Sequence, residues 1–213
     1  MNDNKNENKN NQGKQSAKDY WGPRFWTFLH QICFSFPENP TSIEKLIYKQ
    51  ILVCFVKMIP CPSCQKHFIE LLNKYPVDNS MTSRETLILW ANTIHNKVNK
   101  RLGKPIIDLS EAKLIYINNK NGFNHKYLYQ FLRYNFDRAI YNHTSSEHII
   151  KLFKLLNIAY PCLKCRDTYK AFYQRKPLEK SLGTIKQFIE WYQLIFKPSN
   201  ITEHLTKTWK KKI

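Results

Sequence analysis

Ile59-Pro60-Cys61-Pro62-Ser63-Cys64-Gln65-Lys66-His67-Phe68 is the stretch on which the reading of this 213-residue chain turns. Pro60 breaks the chain just before Cys61, and Pro62 suits the first turn of a helix, where a missing N–H costs nothing. The two cysteines therefore open a predicted helix from Pro62 to about Asn73. There the positive end of the helix dipole favours a thiolate, the species that attacks or leaves in disulfide exchange. Two cysteines three apart on a first turn can also close a disulfide with little backbone movement. Thioredoxin-like chains carry C-x-x-C too, but after a strand and within a mixed sheet. Here the flanks are helical, so the pattern points to a redox pair in an all-α fold.

Working outward, Phe25, Phe28, Leu29, Ile32 and Phe36 fall at helical spacing within Tyr20 to Phe36. Pro37-Glu38-Asn39-Pro40 stops that helix. Thr41 or Ser42 can cap a second helix, Ile43 to Met58, and Thr82 or Ser83 with Glu85 can open a fourth, which Gly103 and Pro105 end. The second half then repeats the first at a spacing of 101 residues. Pro60, Cys61 and Cys64 match Pro161, Cys162 and Cys165; Pro76 and Ser80 match Pro177 and Ser181; Ile88, Trp90, Ile94 and Asn99 match Ile189, Trp191, Ile195 and Asn200. These are nine identities over positions 60–99, and they include the rare Trp and Cys. The expected organisation is a disordered Asn/Lys-rich tail over 1–18, a helical bundle over 19–117, and a second, degenerate bundle over 123–213.

Composition narrows the function classes. Hydrophobic residues are 42% of the chain, which suits a folded protein. Five glycines, with no G-x-G-x-x-G or G-x-x-x-x-G-K, exclude the two commonest nucleotide-binding loops. No apolar run is long enough to span a membrane, and the N-terminus has no signal-peptide character. The net charge of +18 accompanies a general abundance of Lys, Asn, Ile, Tyr and Phe, and no nucleic-acid motif goes with it. It is read as compositional bias, and no dedicated nucleic-acid binding is expected. Zinc is the rival for the cysteines, but about 100 residues separate the two pairs, far more than in zinc ribbons, so no metal is expected. Cys33 and Cys54 lie in apolar helical stretches and read as buried free thiols.

Three segments together resemble the Erv/ALR family of flavin-linked sulfhydryl oxidases: Trp21-Gly22-Pro23-Arg24-Phe25-Trp26-Thr27-Phe28-Leu29-His30, the active-site stretch quoted above, and His95-Asn96-Lys97-Val98-Asn99-Lys100-Arg101-Leu102-Gly103-Lys104-Pro105, which looks like the family's H-N-x-V-N-x-x-L-x-K-P motif. They cover about residues 20–110 in the family's order. The Asn/Lys-rich character and the altered second copy look like members encoded by large DNA viruses. The resemblance implies FAD as cofactor, dithiol proteins as substrates and oxygen as the final acceptor, reduced to hydrogen peroxide. It implies that Cys61 exchanges with substrate and that Cys64 faces the flavin. The residues expected to hold the cofactor are Gly22, Arg24, Trp26, His30, Trp90, His95, Asn96, Val98, Asn99, Lys100, Leu102 and Lys104. Trp26 with His30, and His95 with Asn99, each share a helix face, and Lys100, Arg101 and Lys104 can neutralise a pyrophosphate. The viral likeness places the protein in the host cytoplasm, at the viral factory or in the virion.

Two departures follow. The chain lacks the extra disulfide that staples the last helix in many members, and residues 1–32 hold no cysteine for a shuttle. In the second copy, ungapped alignment sets Tyr127 opposite Trp26, Phe131 opposite His30, Phe196 opposite His95 and Lys197 opposite Asn96. The second bundle is therefore expected to bind no FAD. It is expected to replace a second subunit in an intramolecular pseudo-dimer, with a homodimer as the other possibility. Cys162 and Cys165 are expected to form a structural or second redox disulfide. Two other readings stay open: a non-catalytic basic binding module, and a flavin-free disulfide carrier.

Overall fold

The computed structural model describes residues 17–116, 124–141, 147–181 and 183–195. Among them the regular elements are helical. α1 (Ala17–Phe34), α2 (Ser42–Lys57), α3 (Pro62–Lys74), α4 (Arg84–Arg101) and α5 (Leu109–Tyr116) form a first unit. A second follows with α6 (His125–Tyr141), α7 (Glu147–Ala159), α8 (Leu163–Arg175) and α9 (Ile185–Ile195). Residues 17 and 18, expected in the tail, belong to α1, and residues 1–16 lie outside the described part. α5 and the single 3₁₀ turns Val77–Ser80 and Leu178–Ser181 are additions to the sequence reading. They are too short for a hydrophobic period to announce them.

Local chemistry sets the ends. At α2 the Thr41 hydroxyl accepts from the Glu44 amide at 3.2 Å, and the Glu44 carboxylate accepts from the Thr41 amide at 2.8 Å, a closed capping box. At α4 the box forms between Ser83 and Thr86, leaving Glu85 to reach Lys113. Gly103 ends the α4 segment at φ 65, a conformation that favours glycine.

The element order repeats at a fixed spacing: α3 starts at 62 and α8 at 163, α4 at 84 and α9 at 185. Burial follows the same register, with Tyr48, Ile51, Leu52, Phe55, Phe68, Leu87 and Trp90 buried and so too Ile149, Leu152, Phe153, Leu156, Tyr169, Phe188 and Trp191. One hydrogen bond is duplicated outright. The Trp90 indole donates to Tyr75 O at 2.9 Å, and the Trp191 indole to Lys176 O at 2.7 Å.

The first helix of each unit needs a different register. Buried Phe25, Phe28, Leu29 and Cys33 correspond to buried Leu128, Phe131, Leu132 and Phe136 at a spacing of 103 (128 − 25). This corrects the ungapped alignment: Tyr129, not Tyr127, stands opposite Trp26, and Arg133, not Phe131, opposite His30. The connection to the next helix is two residues shorter in the second unit, which is the source of the slip. Phe196 and Lys197 lie outside the described residues.

The units meet counterpart on counterpart, α1 on α6 and α2 on α7. That is the pattern of an isologous two-fold interface, made within one chain. At its centre the Phe131 ring lies 6.0 Å from Phe25 and 4.7 Å from Phe55. One continuous core runs through both units.

Candidate functional site

The first unit encloses a cavity of about 580 Å³ between the first half of α1, the start of α3, the end of α4 with its following loop, and α5. α3 delivers the cysteines. Cys61 is the N-cap, and its sulfur accepts from the Cys64 amide at 3.3 Å. The two are joined in a disulfide with Cα atoms 5.2 Å apart. Cys64 borders the cavity and Cys61 does not. The Gln65 amide ties the start of α3 back to the end of α2 by donating to Val56 O and Lys57 O.

An aromatic wall faces the cysteine. Trp26 and His95 stack in parallel at 3.8 Å and 7°, and His30 stacks on Tyr116 at 4.1 Å and 3°. His30 Nε2 and His95 Nδ1 lie 3.0 Å apart, so one ring donates and the other accepts. Burial, and then the neighbouring His95, push His30 down to about 3. Burial, and then Lys104, push His95 down to about 4. Both imidazoles are therefore neutral at pH 7, and the pair is a rigid polar fixture in an apolar wall.

Of the residues singled out from sequence, Gly22, Trp26, Cys64, His95, Val98, Asn99, Leu102 and Lys104 line this cavity. A side chain at Gly22 would meet nothing within 4 Å, consistent with open space beside it. The others stand elsewhere. His30 holds His95 from behind. Trp90 is spent on Tyr75 O. Arg24 turns to the second unit: it bonds Gln130 Oε1 at 2.7 Å, donates to Tyr20 O, and lies 3.9 Å over the Tyr20 ring. Asn96 makes a two-way pair with the Ile107 backbone at 2.6 and 3.0 Å, and Asn92 adds a third bond to Ile107 O. These amides pin the loop that brings Lys104, Pro105 and Ile107 to the cavity. Lys100 is exposed and does not border it.

Sequence reasoning missed Tyr116 and His67 as lining residues, while Arg101, read as a partner for a pyrophosphate, does line the cavity. Tyr116 lies outside the three quoted segments. His67 was in plain view, three residues after Cys64 and so on its face of the helix.

The residues suit a flat, anionic, dinucleotide-like group such as FAD. The apolar faces of Trp26, His95 and Tyr116 suit a planar ring system, and Arg101 and Lys104 suit a diphosphate. Asn99 lines the cavity at 5% exposure, where its side-chain amide can donate to and accept from a bound group.

In the second unit Tyr160 and Tyr169 stand where Ile59 and Phe68 line the first cavity. Both are fully buried, their rings stack at 4.8 Å, and the Tyr169 hydroxyl donates to Phe153 O. Cys162 is a disulfide cysteine at the N-cap of α8; the Cys165 side chain lies outside the described part. Cys33 and Cys54 are free, buried, and raised by burial above the usual thiol range. No described helix is long and apolar enough to cross a membrane.

The family model of the Erv1 / Alr family matches residues 23–117. A "Probable FAD-linked sulfhydryl oxidase" of Acanthamoeba polyphaga mimivirus is 38% identical over 97 residues, 45% of this chain and 68% of the relative. An "FAD-linked sulfhydryl oxidase" of African swine fever virus (isolate Pig/Kenya/KEN-50/1950) is 38% identical over 46% of this chain and 80% of its own length. The Saccharomyces cerevisiae "FAD-linked sulfhydryl oxidase ERV2" is 35% identical, and the chain spans about half of it (48%). The crystal structure of the yeast Erv1 core aligns with a TM-score of 0.45 and 30% identity, over 53% of this chain and 94% of that one.

Proposed function

The chain belongs to the Erv1 / Alr family, and from that premise we propose that it is an FAD-linked sulfhydryl oxidase whose catalytic machinery lies in the first unit alone. The observation that carries the reading is a disulfide with one cysteine bordering an aromatic-walled cavity and the other outside it.

FAD, when bound, supplies two-electron redox chemistry and hands the electrons to oxygen, giving hydrogen peroxide. Every other part belongs to the chain. A substrate thiolate attacks Cys61 and displaces Cys64 on the cavity side, where the Cys64 sulfur takes up the proton that the substrate thiol lost. The second substrate thiol then releases Cys61, leaving an oxidised substrate and a reduced pair. The Cys64 amide that points at the Cys61 sulfur stabilises negative charge there. Trp26, His95 and Asn99 bind and orient the cofactor, Lys104 and Arg101 hold its diphosphate, and Asn92 and Asn96 keep the Lys104 loop in place.

The second unit supplies no second flavin site. Tyr160 and Tyr169 fill its interior, and Arg133 with Asp137 replaces the neutral histidine. It acts instead as a built-in partner subunit: its α6 and α7 cover the apolar face of α1 and α2, and its Gln130 and Phe131 brace Arg24 and Phe25. The Cys162 disulfide is structural in this reading. The mimivirus and African swine fever virus relatives support a viral setting, with the host cytoplasm, its viral factories and the virion as the compartments to examine.

The test is direct. The purified chain should be yellow, consume oxygen with a dithiol, form peroxide and run as a monomer in light scattering. A colourless protein that consumes no oxygen would sink the proposal.

A further inference from the structure

We propose that His67 is the proton acceptor for the Cys61–Cys64 pair, a proposal that rests on reading the adjoining cavity as the flavin site. His67 follows Cys64 by three residues on α3, and the two border the same cavity. Its Nδ1 lies 3.2 Å from Ser63 O. A carbonyl oxygen only accepts, so Nδ1 carries the hydrogen and, in the neutral ring, Nε2 is left with its lone pair.

The chemistry needs such a group. A substrate dithiol reduces the Cys61–Cys64 bond with no net change in protons: one disulfide and two thiols become one disulfide and two thiols. The next step does release protons. The Cys61 and Cys64 thiols re-form their S–S bond, two electrons leave to the flavin, and two protons leave the sulfurs. His67 Nε2 takes the proton of Cys64, and the proton of Cys61 passes to solvent.

Other groups on the cavity are poorly placed for that proton. His95 has its Nδ1 committed to His30, and burial and Lys104 hold it to about 4. Burial pushes the Tyr116 phenol up to about 12, so it keeps its own proton. Asp19 and Glu111 are exposed carboxylates in the first turns of α1 and α5. The cations Lys18, Arg101 and Lys104 also line the cavity and favour a thiolate once the proton has gone.

The experiment uses the full chain carrying Cys61→Ser, so that Cys64 is the reacting thiol. The pH dependence of its alkylation by iodoacetamide is followed by mass spectrometry in flavin-free protein. Adding His67→Ala should raise the pH midpoint by about one unit. In the chain with both cysteines, His67→Ala should slow flavin reduction at pH 7 by roughly 10²-fold, and added imidazole should restore part of the rate. His67→Gln, which can still bond Ser63 O, should keep the fold and flavin but not the rate. Equal alkylation midpoints with and without His67, or a full rate in His67→Gln, would overturn the proposal. A wild-type chain that binds no flavin would defeat the oxidase reading, while the alkylation midpoints would still decide the role of His67.

Discussion

Trp90 and Trp191 make the same bond in the two units, each donating to the carbonyl of a residue that ends the preceding helix. The interiors they brace are unlike. In the first unit Ile59 and Phe68 leave a cavity that His95 and Trp26 wall and Cys64 enters. In the second, Tyr160 and Tyr169 occupy the matching positions, both buried and with their rings 4.8 Å apart. The scaffold thus depends on a few helix-end contacts that recur, and cofactor capacity depends on a handful of ring sizes that do not.

The sharpest break of that contrast lies at the cysteines. Cys64→Ser should lower turnover by roughly 10³-fold or more, as loss of a covalent catalytic group does, while the flavin spectrum persists. Cys165→Ser should leave flavin reduction by a small dithiol unchanged. If Cys165→Ser also stops turnover with small dithiols, the two units are not divided as proposed.

Transplanting the rings comes next. Ile59→Tyr with Phe68→Tyr should give the first unit the filled interior of the second. The expected outcome is a folded, colourless protein, read from helical circular dichroism and flavin absorbance. The brace between units can be separated from simple stability. Phe131→Ala and Leu156→Ala both empty fully buried positions and should each cost about 2–5 kcal/mol in denaturant. The Phe131 ring lies against Phe25 on the cavity wall, so its loss should also weaken flavin retention in native conditions.

The fold was readable from sequence because helix punctuation is local. Pro60 and Pro62, the Thr41–Glu44 box and Gly103 act within a turn or two of themselves, and each sits where expected. The cavity was readable only in part. Trp26, His95 and Asn99, which the family resemblance implied as cofactor residues, do line it. Arg24, Trp90 and Asn96 share those segments but are drawn away by partners distant in sequence: Gln130, Tyr75 and Ile107. The slip between α1 and α6 was invisible to an ungapped comparison, because a two-residue change in a loop leaves no mark on the composition of either helix.

Acid should also tell the units apart. His30 and His95 sit at about 3 and about 4 in the folded chain, against 6.5 for a free imidazole. The unfolded chain therefore binds protons first as pH falls through 6.5. Stability present above 6.5 should be lost steadily toward pH 4, at about 1.4 kcal/mol per pH unit per histidine. Urea midpoints at pH 7, 6 and 5 measure this. His30→Phe with His95→Phe should flatten the slope, because no buried histidine is found in the described second unit.

The smallest effect tests the repeat itself. Trp90→Phe and Trp191→Phe each keep an aromatic ring in a buried slot, at 5% and 2% exposure, and delete one indole donor. Each should cost about 1 kcal/mol, the net worth of a neutral hydrogen bond. The sites lie in different units and share no hydrogen-bond partner, so the double variant should show the sum of the two losses. Equal and additive losses would mean that the two helix ends are the same structural device used twice. A large loss at Trp90 alone, with flavin released, would instead tie that tryptophan to the cofactor and shift the boundary between scaffold and site.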